Sequence, residues 1–108
     1  MSTYLSLNYH LIFSTKHRQP LLAAEWLDQL HQYLGGTIRG LGGTAMRVGG
    51  IEDHVHLLVG LKATHCLSDF MRDLKKQSSI WIRDQQLVAG FAWQEGYAAL
   101  TVSPSGLG

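Results

Sequence analysis

The sequence predicts an α+β fold of order β-α-β-β-α-β, a four-stranded antiparallel sheet with both helices on one face. Three observations carry that reading. Apolar and polar residues alternate from Thr3 to Ser14; two later segments carry apolar residues at helical spacing; and between those segments lie two strand-like runs separated only by Glu52-Asp53.

In the first strand, Leu5, Leu7, Tyr9, Leu11 and Phe13 form one face and Ser6, Asn8, His10, Ile12 and Ser14 the other. A basic loop follows (Lys16, His17, Arg18), then Pro20, which suits the first turn of a helix. From Leu22 to about Arg39, Trp26, Leu27, Leu30, Leu34, Ile38 and Leu41 make an apolar stripe. Gly35-Gly36 interrupts it and weakens the helix by roughly 1 kcal/mol per glycine relative to alanine. Gly40, Gly42 and Gly43 end it, and Thr44 to Ile51 reads as the second strand. Glu52-Asp53 is a turn or bulge before the third strand, and Lys62 to His65 is a loop. The second helix, about Leu67 to Arg83, turns Leu67, Phe70, Met71, Leu74 and Trp81 toward a core. The last strand spans Gly96 to Ser103, with Tyr97, Ala99 and Thr101 on one face and Ala98, Leu100 and Val102 on the other.

This order is the split βαβ, or ferredoxin-like, arrangement. Its first and third strands are central neighbours. Asn8 and His10 are therefore expected beside His54 and His56, as a polar patch on the sheet face that no helix covers.

Composition narrows the function classes. A chain of 108 residues fits one domain. Nine Lys and Arg against eight Asp and Glu give no charge signal for nucleic acid. The single cysteine, Cys66, excludes an internal disulfide framework and suits a reducing cytoplasm. No signal peptide is evident, and no apolar run approaches the ~20 residues of a membrane span. The neutral total conceals a local excess: five of the nine basic residues lie between Lys62 and Arg83, against Asp69 and Asp73. Arg72, Lys75, Lys76 and Arg83 share a helix face, a pattern that by itself describes any solvated helix.

Asp53-His54-Val55-His56-Leu57-Leu58-Val59 is the most informative stretch. Residues two apart in a strand share a face, so His54 and His56 project side by side with Cα atoms roughly 6.6 Å apart. Val55, Leu57, Val59 and Leu61 point the other way. Two imidazoles so placed can converge on one divalent metal. A bare His-x-His pair is more often the polar side of a half-buried strand, so the rest of the chain must decide.

Four segments resemble consecutive signatures of one family. They are Tyr9-His10-Leu11-Ile12-Phe13-Ser14-Thr15-Lys16-His17-Arg18; Asp53-His54-Val55-His56-Leu57-Leu58; Lys75-Lys76-Gln77-Ser78-Ser79 before Trp81-Ile82; and Phe91-Ala92-Trp93-Gln94-Glu95-Gly96-Tyr97 with Thr101-Val102-Ser103. From about Tyr4 to Ser105 the chain is similar to the small HUH-type tyrosine transposases of bacterial and archaeal insertion sequences, the IS-two-hundred-like group, and to their REP-associated domesticated relatives.

The resemblance implies cutting and rejoining of single-stranded DNA near folded hairpins. His54 and His56 would bind Mg²⁺ or Mn²⁺, a Lewis acid for the scissile phosphate. A tyrosine hydroxyl would attack phosphorus, leaving a 5′-phosphotyrosine link and a free 3′-hydroxyl. Lys16, Arg18, Arg72, Lys75, Lys76 and Arg83 are the expected phosphate contacts, and a homodimer is the expected assembly. In the family the nucleophile lies on a helix after the last strand, with a glutamine or similar residue completing the metal shell. Tyr4, Tyr9, Tyr33 and Tyr97 do not match that position. Pro104-Ser105-Gly106-Leu107-Gly108 is too short and too poor in helix formers to supply it. The expectation is thus a single, C-terminally shortened domain over 1–108, cleavage-deficient as given, with its nucleophile beyond Gly108.

Two other classes fit the same fold. A non-catalytic nucleic-acid-binding module would stack bases on sheet aromatics, but the third strand offers His54, His56, Leu58 and Gly60 there and the first no aromatic pair. A metal-dependent hydrolase would add a carboxylate such as Asp53 or Glu52. Asp53 directly precedes His54 and should face the opposite way unless the turn bulges.

Overall fold

The computed structural model describes residues 7–102. Its elements are β1 (Leu7–Ser14), a 3-10 turn (Lys16–Arg18), α1 (Ala24–Gly40), β2 (Thr44–Ile51), β3 (His54–Leu61), α2 (Leu67–Asp84) and β4 (Ala98–Val102). The strands form one antiparallel sheet in the order β2-β3-β1-β4, so β1 and β3 are central as expected. The expected strand residues before Leu7, Ser103 and the tail lie outside the described residues.

Alternation sorts the sheet into two faces. Leu11 and Phe13 of β1 and Val55, Leu57, Val59 and Leu61 of β3 meet Trp26, Leu30, Leu34 and Ile38 of α1 and Phe70, Met71, Leu74 and Ile82 of α2 in one core. Burying each leucine-sized side chain contributes about 1.5–3 kcal/mol. The other face carries Asn8, His10, Ile12 and Ser14 of β1, opposite Gly60, Leu58, His56 and His54 of β3.

Two elements depart from expectation. Pro20 does not open α1, which begins at Ala24. The Leu21 N–H instead bonds Gln19 O and the Leu22 N–H bonds Glu52 O, at 2.8 and 2.9 Å. Leu22 is 1% exposed. The chain is thereby pinned to the β2–β3 turn before a helix can start. On α2, Trp81 was expected in the core, yet Ile82 takes that place and Trp81 stacks on Tyr33 of α1, with centroids 5.1 Å apart. Ser78, buried between Leu74 and Ile82, hides this stripe in the sequence because it is polar. Its hydroxyl donates to Leu74 O and accepts from Trp93 Nε1 at 2.9 Å.

β2 contains an irregularity of consequence. Ala45 pairs with Val59 but Arg47 with Leu58, leaving Met46 as an extra residue, a β-bulge. Without the bulge, Arg47 would face the core.

Candidate functional site

The site grows from β3 and the turn before it. His54 and His56 share the open face, with ring centroids 6.2 Å apart and tilted by 40°. His56 lies over Gly49 of β2. A Cβ at Gly49 would stand 2.8 Å from the His56 ring, so only glycine leaves the imidazole its place.

Asp53 does not face away from His54. His54 Nδ1–H donates to Asp53 Oδ1 at 2.9 Å, and Asp53 Oδ2 lies 3.6 Å from Arg18 Nε. The bond to His54, reinforced by Arg18, holds the Asp53 carboxyl below its usual range against partial desolvation. An ionised carboxylate only accepts. It therefore fixes the proton on Nδ1 and leaves Nε2 of His54 with its lone pair, the arrangement that orients metal-binding histidines. His56 is exposed, yet withdrawal of its ring from water, then His10 and His54, push its pKa down and favour the neutral ligand form.

The register separates the predicted supporting residues. His10 sits opposite Leu58, diagonal to His56, with rings 6.0 Å apart and edge-on. Asn8 lies further along, opposite Gly60, and is 4% exposed. The residues of β1 directly beside His56 and His54 are Ile12 and Ser14. Among the described residues, no group of three or more His, Cys, Asp or Glu side chains is placed to hold a metal.

Next to His54 opens a cavity of about 320 Å³ whose polar walls are Ser14, Arg18, Glu95 and Tyr97. Its rim is strained. His17 and Arg18 both have left-handed backbones, φ 59° and 55°, a state that costs side-chain-bearing residues of order 1–3 kcal/mol each and gathers at functional sites. Its surroundings impose it: His17 N–H donates to Gln94 Oε1 at 2.9 Å, Arg18 N–H to Thr15 O, and the buried Thr15 hydroxyl to Gln19 O at 2.6 Å. Sequence reasoning weighed Asp53 only as a hydrolase carboxylate expected to face away from His54, and it missed Glu95 and this strain, since turn geometry escapes alternation.

The six basic residues read as phosphate contacts are not brought together. Lys16 and Arg18 flank the His54 end of the sheet. The other four lie on α2, which covers the opposite face. Arg72 is paired with Asp69 and Asp73, at 3.1 and 3.3 Å. Lys75 Nζ donates to Gln94 O and Gly96 O, and Arg83 to Phe91 O, so both fasten the segment that leads into β4. Burial lowers the Lys75 pKa, against the pull of Glu95. Lys76 is exposed.

A four-stranded sheet with a His-x-His strand at its centre, facing away from two helices, defines the class: residues 3–107 match the family described as "Transposase IS200 like", and the chain belongs to that family. Among its relatives is the ISDra2 transposase TnpA of Deinococcus radiodurans, 32% identical over 103 residues, 90% of this chain and 74% of that one. A crystal structure of a transposase candidate from Deinococcus radiodurans R1 superposes with TM-score 0.86 at 30% identity, covering 96% of this chain and 85% of that one. A REP-associated tyrosine transposase bound to a REP hairpin shares the fold, with TM-score 0.68 at 14% identity over 95% of this chain and 61% of that one. The expected family and α+β fold are both borne out. Among the described residues, no helix is long and apolar enough to cross a membrane.

Proposed function

We propose that this chain acts on single-stranded DNA carrying hairpins, in the cytoplasm, with His54 and His56 as protein ligands of Mg²⁺ or Mn²⁺. The carrying observation is the Asp53–His54 hydrogen bond, which keeps the Nε2 of His54 unprotonated beside the His56 ring, 6.2 Å away on the same open sheet face. The donors fit a divalent cation whose remaining positions take oxygens of water and phosphate, and imidazole favours Mn²⁺ over the harder Mg²⁺. When bound, the metal supplies Lewis-acid polarisation of a phosphodiester.

The chain's own residues do the rest. Asp53 orients His54. Arg18, held at the cavity mouth by its strained backbone, offsets phosphate charge, with Lys16 beside it. Of the α2 cations, Lys76 remains a phosphate contact; Lys75 and Arg83 act within the fold. Tyr9 lies half-buried on the core face and Tyr33 is stacked on Trp81, so neither reaches the histidines. Tyr97, 39% exposed, lines the His54 cavity, and it is read as a packing residue rather than the nucleophile. Assembly as a homodimer is part of this proposal; the exposed open-face residues Met46, Ile51 and Leu100 support it.

Calorimetric titration with Mn²⁺ tests the metal pair. A site is expected that His54→Ala or His56→Ala removes, and unchanged affinity in both variants would overturn the assignment. Incubation with labelled hairpin DNA and Mn²⁺, followed by a denaturing gel, tests the tyrosine. Any covalent adduct is expected to survive Tyr97→Phe, and its loss would place the nucleophile on Tyr97.

A further inference from the structure

A cleft of about 560 Å³ between α1 and the edge strand β2 takes no part in the site above. Its polar walls are His31, Gln32, Arg39 and Arg47, and no acid lines it. Neither guanidinium has an ion-pair partner among the described residues. His31 Nε2 is enclosed there without a hydrogen-bond partner among those residues.

Two locally unfavourable features build this cleft. Gly35, in mid-helix, gives up about 1 kcal/mol of helix stability relative to alanine. The helix surface is flat there beside Arg39: a Cβ at Gly35 would make ordinary contact with Arg39 Nη1 at 3.4 Å, so a longer side chain at this position would extend into the cleft. The Met46 bulge breaks the ladder of β2 and swings Arg47 out of core register to a place opposite Leu58. Arg47 thereby also lines a cavity of about 300 Å³ on the open face with His10, His56 and Leu58. One arginine thus stands at the sheet edge between the histidine face and the α1 cleft.

We infer that the α1–β2 cleft is a second phosphate site, taking the backbone of a nucleic-acid strand that passes over β2 from His56, with Arg47 as the link and Arg39 as the far anchor. The inference rests on the DNA-directed function proposed above. Guanidinium groups grip phosphate through two parallel N–H bonds, and a basic groove that follows the backbone is how single strands are held without sequence preference. The Gln32 amide adds a neutral donor to the same wall.

The test measures binding of the full chain to oligothymidine across a salt series, with side-chain Nε resonances of Arg39 and Arg47 followed by NMR. Each neutralised phosphate on a single strand contributes about 0.7 to the salt slope. Arg39→Gln with Arg47→Gln is therefore expected to flatten the slope by about 1.4. Gly35→Met, which fills the cleft without changing charge, is expected to flatten it as well. In the parent, both Nε signals should shift on DNA addition. A parent that binds while both variants keep its slope and the signals stay fixed would overturn this inference alone. A parent that binds no DNA at any salt would overturn the proposed function and this inference with it.

Discussion

At the scale of single residues, Asp53 is the group that orients His54. That His54 and His56 share a face was legible, because strand alternation is set by backbone geometry alone. The Asp53 contact was not, because a two-residue hairpin turn does not obey that alternation. Its carboxylate touches His54 at 2.9 Å and also faces Arg18, so it fixes both the tautomer and the ring. Asp53→Asn is expected to weaken Mn²⁺ binding about 10–100-fold while leaving the fold intact. Calorimetry beside far-UV circular dichroism would check this, and unchanged affinity would show that His54 needs no orienting partner. Asn8 teaches a related lesson. Its face was legible but not its distance from the histidines, since register depends on pairing that one strand's sequence does not contain.

At the scale of elements, period and punctuation were legible and exceptions were not. β2 and β3 begin and end where the alternation says, and α1 ends at its glycines for a stated reason. Gly42, φ +88°, closes α1 with its N–H on Arg39 O while the Gly43 N–H bonds Ile38 O, at 3.0 and 2.9 Å. α2 ends in the same geometry with Gln86 at the left-handed position, φ 58°, its N–H on Arg83 O and the Leu87 N–H on Ile82 O. A side chain there is strained. Gln86→Gly is expected to raise stability by about 0.5–1 kcal/mol, the backbone relief exceeding the added unfolded-state freedom. Urea denaturation measures it, and a lower midpoint would mean that Gln86 makes a compensating contact. The Met46 bulge left a trace that could have been followed: Ala45 and Val48, both packed against the core, are three apart in a strand whose period is two.

At the scale of the whole molecule, the layer order followed from the sequence of elements, whereas the distribution of charge did not. A helical wheel places cations on a face but does not show that Lys75 and Arg83 are occupied by backbone carbonyls. Nor does it show that Arg39 and Arg47, from different elements, meet in one cleft. The histidines also set how the fold responds to acid. Burial lowers the pKa of His31 from 6.5, opposed by Asp28 and aided by His56, and His56 is lowered likewise. Both groups hold protons less tightly folded than unfolded. Stability from them is present above pH 6.5 and is lost as pH falls from there through the folded values, because the unfolded chain then binds more protons. Asp53 has the same sign in a lower window, below 3.8. Chelator-treated protein should show a falling urea midpoint on acidification below neutrality, and His31→Gln should flatten part of that fall. A midpoint independent of pH in this range would show that neither imidazole is withheld from protons by the fold.

The meeting of chain segments at Thr15 has a consequence in time. Its N–H bonds the carbonyl of Asp53, 38 residues away, its backbone bridges to Trp93, and the neighbouring His17 N–H reaches Gln94, 77 residues away. The Thr15–Asp53 bond extends the β1–β3 ladder, whereas the closure onto Trp93 and Gln94 is entropically expensive until that ladder holds the chain, so it is expected in the last stage of folding. The helices and central strands are then expected to assemble first, with Glu95, Gly96 and Tyr97 closing the cavity beside His54 afterwards. Lesions at this junction will therefore hasten unfolding far more than they slow folding. On the proposed function, the segment expected to meet phosphate is also the one expected to open most readily while the core stays whole.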